Sequence, residues 1–140
     1  MDVPARRQAL AGLLLRGAKE LLLVPQLLRC LGDADREVRS TAAALLWSTA
    51  AEIGLGPFAA DAVDVFLSAL DDVDHRVREY AVGALGVIPY GALETLDRVI
   101  DRLVRLQVGP GDRRGAAVAI RTLRNLLQQI PECEGPPGSC

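Results

Sequence analysis

Aromatic residues are few: two Phe, two Tyr and one Trp amount to 4 % of the 140-residue chain. Sandwiches and barrels draw heavily on aromatic and β-branched side chains, so a chain dominated by Ala and Leu points to closely packed helices instead. Histidine is scarcer still. His75 stands alone, and one imidazole cannot supply a metal site built on paired histidines. Lysine occurs only at Lys19, yet abundant arginine is balanced by acid, and the net charge of −2 gives no bulk attraction to nucleic acid or an anionic membrane.

The three cysteines, Cys30, Cys133 and Cys140, are odd in number and two fall at the very end, so no disulfide framework is expected. Cys30 lies among Leu27, Leu28 and Leu31 and reads as a small buried apolar residue. No apolar run approaches the ~18 residues that suggest a membrane-spanning helix. Arg16 cuts off Leu13–Leu15 too early for the core of a secretory signal. A cytoplasmic location without a membrane partner is the expectation. No catalytic residue, metal or cofactor is expected either. Gly109-Pro110-Gly111 lacks the Lys-Ser/Thr of a phosphate loop, no Ser-centred elbow occurs, and Cys133 and Cys140 have no second histidine as a base.

What the chain does have is internal repetition. Leu31-Gly-Asp33-Ala-Asp35-Arg-Glu-Val38-Arg39-Ser-Thr-Ala42 continues to Leu46, and Leu70-Asp-Asp72-Val-Asp74-His-Arg-Val77-Arg78-Glu-Tyr-Ala81 continues to Leu85. Each matched position is displaced by 39 residues, as Leu70 is from Leu31 and Leu85 from Leu46. A weaker copy (Asp112, Gly115, Ala119, Leu123) stands 38 residues further on, and a degenerate one (Asp2, Arg6, Ala9, Leu13) precedes at a displacement of 33. Such a period indicates an array of helical units, each burying its apolar face against the next.

Within one unit, Asp35 and Asp74 stand before apolar helical patterns as N-caps, each worth ~1 kcal/mol. Val38, Ala42, Leu45, Leu46 and Ile53 follow at helical spacing and predict one buried stripe. Gly54 and Gly56 end the helix before Pro57, and Pro89 with Gly91 repeats the punctuation. The expected architecture is all-α, a short solenoid of seven helices: 4–16 with 20–31, 36–53 with 57–70, 75–88 with 92–107, and a lone helix at 112–130. Pro25 should kink the second helix or mark its true start. The repeats divide at about 1–31, 32–70, 71–108 and a partial 109–130, followed by a disordered Pro- and Gly-rich tail at 131–140.

The segments LGDADREVRSTAAALL and LDDVDHRVREYAVGAL resemble HEAT repeats, closest to the type first described in phycobilisome lyases. The resemblance spans residues 1–130 and implies a right-handed superhelix whose second helices line the concave face. It also implies a ladder between neighbouring units, at positions matched by Asp33, Asp35, Arg39, Asp72, Asp74 and Arg78. The fourth unit departs from it, with Gly115 and Ala116 in place of the Val and Arg.

Three function classes follow from the resemblance. A non-enzymatic scaffold would bind a partner protein or peptide on the concave face, through Asp61, Asp64, Ser68, Glu94, Asp97, Arg98, Asp101 and Arg105. A nucleic-acid-binding array of the DNA-glycosylase kind needs a basic groove, whereas these positions are mixed and locally acidic. A lyase-type enzyme needs convergent polar groups in a pocket, for which no distinctive residues are found. The scaffold is the favoured reading, with a protein partner and no nucleic acid. The same charges also read as a solvated helix face, with Glu94–Arg98 and Asp101–Arg105 paired at i, i+4. Trp47 reads as packing and His75 as a solvated first-turn residue. The last helix carries Leu123, Leu126, Leu127 and Ile130 on one stripe, which makes docking of its outer edge a further expectation, either by self-association or onto a partner that supplies the missing helix of the fourth pair.

Overall fold

Two aspartates open each central repeat, and they divide the work. In the computed structural model, which describes residues 2–17, 20–90, 93–105 and 113–129, Asp33 Oδ1 accepts from the Asp35 amide at 2.8 Å and turns the chain. Asp35 then accepts from the Val38 amide at 3.0 Å and caps the helix that follows. One repeat later, Asp72 accepts from the Asp74 amide at 2.9 Å and Asp74 from the Arg76 amide at 2.8 Å. Asp2 caps the first helix in the same manner, accepting from the Ala5 amide at 2.9 Å. The capping carboxylates of Asp2, Asp35 and Asp74 each satisfy an amide that the first helical turn would otherwise leave open.

The helices so begun are α1 (Val3–Leu15), α2 (Val24–Cys30), α3 (Arg36–Glu52), α4 (Ala59–Ala69), α5 (His75–Val87), α6 (Leu93–Arg105) and α7 (Arg113–Leu127). No strand occurs among the described residues, and the all-α expectation holds. Pro25 marks the start of α2, and the residues before it form a 3-10 turn at Leu21–Leu23. Gly54 takes a φ of +78°, a conformation that glycine adopts freely, and ends α3 with its amide on the Thr49 carbonyl. Gly91, Asp112, the turn at 109–111 and the tail at 131–140 lie outside the described residues.

Helices α1, α3, α5 and α7 stack side by side as a first layer. The second layer, α2, α4 and α6, packs behind it. Each second-layer helix lies most extensively on the first-layer helix that follows it: α2 on α3, α4 on α5, α6 on α7. Helix α7 therefore already has α6 beside it in the described structure.

The repeated positions build one core. Val38, Ala42 and Leu46 are fully buried, and so are Val77, Ala81 and Leu85. From the second layer Phe66, Leu96, Val99 and Leu103 meet them. Small side chains at 42 and 81 leave room for neighbouring helices to approach. Ile53 is a correction: it is 53 % exposed, because it occupies the C-cap of α3 at a φ of −120° and has left the helical register. Helix α1 is the least embedded of those whose side chains are fully described, with Leu10 as its one buried residue.

Arginines join the first three first-layer helices. Arg39 Nε lies 2.9 Å from Asp72 Oδ2, while its Nη1 donates to the Asp33 carbonyl at 2.9 Å. One side chain thus ties its own turn to the next repeat. Arg78 repeats the inward half of this, donating to the Asp72 carbonyl at 2.7 Å. Upstream, Arg6 pairs with Asp33 at 2.9 Å and Arg7 Nε with Asp35 Oδ2 at 2.8 Å. The aligned aspartates and arginines of the repeat are therefore structural first.

Candidate protein-binding surfaces

Helices α4 and α6 are amphipathic because their apolar residues recur at three- and four-residue steps. Ala62, Val63, Phe66 and Ala69 turn inward from α4, and Leu96, Val99 and Leu103 from α6. The opposite faces carry the predicted partner-binding residues. Asp61, Asp64 and Ser68 on α4 are all exposed, as are Glu94, Asp97, Arg98, Asp101 and Arg105 on α6.

The charges on this face are wired differently from the expectation. Arg98 does not pair with Glu94; it reaches across to α4 and donates to Asp64 Oδ1 at 2.8 Å. Exposed pairs of either kind contribute only ~0.2–1 kcal/mol, so the helix packed alongside can win over a neighbour one turn away. Arg102 makes a parallel link to Asp71 at 3.1 Å. Asp101 and Arg105 form the predicted pair at 3.2 Å. Two aspartates of the acidic cluster, Asp64 and Asp101, are thereby neutralised. Asp61, Glu94 and Asp97 make no ion pair among the described residues and leave a narrower acidic strip.

The first layer carries a second surface that the sequence did not announce. Trp47 is 42 % exposed and lies over Gly83 of the next first-layer helix. A Cβ at Gly83 would stand 2.9 Å from Trp47 Nε1, so this position must be side-chain-free for the indole to lie there. Tyr80 flanks it, ring centroids 5.9 Å apart and planes inclined at 34°. Together they line one wall of a cleft of about 370 Å³, which Val118, Arg121 and Asn125 of α7 complete. Trp47 was expected to be packing, and half of it is. The aromatic itself was the available signal, but its exposure depends on Gly83, a residue one repeat away.

Two other surfaces are less directed. An apolar cleft of about 420 Å³ separates α1 from α2, lined by Leu10, Leu13, Leu23 and Leu27 with Arg6 and Cys30 at its side. Cys30, expected to be buried, is half-buried, and desolvation raises its thiol above the ordinary pKa, which disfavours the thiolate. On α7, Ile120 and Leu127 are more than half exposed, Leu123 is half-buried and Leu126 is fully buried. His75 is exposed in the first turn of α5. Among the described residues no group of acidic, cysteine and histidine side chains is arranged to hold a metal, and no helix is long and apolar enough to cross a membrane.

Stacked helices in two layers, tied repeat to repeat, define an α-solenoid. The family model for HEAT repeats matches residues 24–124, and the chain belongs to the HEAT-repeat family. No curated protein matches the chain. No solved structure matches it either.

Proposed function

We propose that this chain is a non-enzymatic scaffold whose second-layer face, the one expected to be concave, receives a helix or extended segment of a partner protein. The observation that carries this reading is the acidic strip of Asp61, Glu94 and Asp97 on the solvent side of α4 and α6, beside the cross-helix pair of Arg98 and Asp64. Unpaired carboxylates on a rigid face complement a basic partner and repel phosphate. HEAT repeats commonly mediate protein–protein interaction, and an array of rigid units presents such a face without long loops. The repeats are proposed to be of the phycobilisome-lyase type in pattern and not in activity. The cytoplasm is the proposed location.

The test is capture from lysate with mass spectrometry, run beside a variant carrying Asp61→Lys, Asp64→Lys and Asp97→Lys. Partners retained by the native chain should be lost from the variant while its helical circular dichroism is unchanged. Identical partner sets would overturn the assignment of the face. Salt-sensitive submicromolar binding of DNA in a titration would favour the nucleic-acid class instead. Self-association through the outer edge of α7 is proposed as a secondary contact. Sedimentation should show concentration-dependent dimer that Leu127→Glu removes, and a monomer at every concentration would exclude it.

A further inference from the structure

We propose that the cleft between α5 and α7 over Trp47 is a second binding site, for an acidic protein segment that places an apolar side chain against Trp47 and Tyr80 and a carboxylate on Arg121. Two aromatic rings offer the apolar contact, Trp47 exposed and Tyr80 half-buried beside it. In a chain with only five aromatic residues, two of them line this cleft, and Trp47 keeps 42 % of its surface in solvent. Burying an indole inside the cleft would stabilise the protein more than leaving it at the cleft wall, so what the arrangement provides is a contact surface. Trp, Tyr and Arg are also the residues that dominate binding energy where proteins meet.

The polar half fixes the chemistry of the occupant. The indole N–H of Trp47, the hydroxyl of Tyr80, the guanidinium of Arg121 and the amide of Asn125 have no hydrogen-bond or ion-pair partner among the described residues. Four residues that line one cleft therefore carry groups able to donate, one of them a full positive charge. A carboxylate is the acceptor that matches a guanidinium fork with a neighbouring amide donor. Glu79 also lines the wall, but it is already engaged within the molecule, so the charge offered to a ligand is that of Arg121. This site thus selects the opposite charge from the α4–α6 face, and the two can be tested separately.

Trp47 is the only tryptophan in the chain, so its fluorescence reports on this cleft alone. The probe is a short N-acetylated, C-amidated peptide alternating leucine with aspartate, and the control is its lysine counterpart. The aspartate peptide should shift Trp47 emission saturably and the lysine peptide should not. Arg121→Glu should weaken binding on the order of tenfold or more with the helical signal intact, because Arg121 is exposed. Tyr80→Ala should weaken binding while leaving the preference for aspartate over lysine. Asp61→Lys with Asp97→Lys, on the other layer, should lose the partners of that face and still bind the aspartate peptide. An unsaturable signal, an equal response to both peptides, an unaffected Arg121→Glu variant, or the full response from free acetate at the same carboxylate concentration would each overturn the proposal.

Discussion

The junctions between first-layer helices are of two kinds. Where α1 meets α3 and α3 meets α5, arginines and carboxylates bridge the repeats, led by Arg39 with Asp72 and Arg76 with Glu37 at 3.0 Å. Where α5 meets α7, the described contacts are steric and uncharged. Gly86 lies directly beneath Thr122, whose hydroxyl donates to the Val82 carbonyl at 3.2 Å. Gln129 closes the end, donating to the Ile88 carbonyl at 3.0 Å and accepting from the Tyr90 amide at 2.9 Å. Among the described residues, directed charge thus marks the first two junctions and close backbone approach the third. The Tyr90 phenol, donating to the Leu85 carbonyl at 2.7 Å, is pushed well above its usual pKa by burial and stays neutral there.

Truncating the shared core should erase the distinction, and this is the largest expected effect. Leu46 and Leu85 are equivalent and fully buried, so Leu46→Ala and Leu85→Ala should each cost ~2–5 kcal/mol in a denaturant melt. A loss below about half a kcal/mol for both would mean that the repeat register does not define the core.

Arg39→Ala should sharpen the comparison from the charged side. It removes the pair with Asp72 and two backbone contacts, and a loss of ~1.5–3 kcal/mol is expected from charge-assisted bonds in a mostly buried setting. The steric junction has its own probe in Gly86→Ala. The new Cβ would stand 2.8 Å from Thr122 Cγ2, and overpacking of this kind costs ~1–3 kcal/mol. Adding Thr122→Ala should recover much of that loss in a double-mutant cycle, which no purely local helix effect would allow.

The smallest effect is the one seen in acid. The hydrogen bond from Arg7 holds the Asp35 carboxyl at about 2, below its ordinary 3.8. Its contribution is therefore complete above the unfolded value and is lost as pH falls from about 4 toward 2. Asp35→Asn can still cap α3, so it should flatten the acid limb of a plot of Tm against pH while leaving the helix start in place. An unchanged acid limb would show that the Arg7 pair contributes nothing there.

The repeat made most of the fold legible. A displacement of 39 residues between two matched segments identified the caps, the buried triplets and the helix count, because each unit must bury the same stripe against its neighbours. Helix ends were readable wherever proline or glycine marks them, as at Pro25 and Gly54. Ile53 misled because apolar spacing alone does not register that a helix has already reached its cap. The exposed face of α4 and α6 was readable from the same period, but its wiring was not. Arg98 has an acid one turn away in sequence and another on a different helix, and only the packing of the two helices chose Asp64.

The sequence by itself determined that this protein is a stack of HEAT units, because caps, turns and apolar period are local properties that the two central units restate in register. The tertiary structure alone decided which helices lie closest, how each junction is held, and that Trp47 stays open to solvent beside Arg121. Those outcomes depend on residues a repeat apart, Gly83 under an indole and Gly86 under a threonine, whose small size matters only once two helices have met.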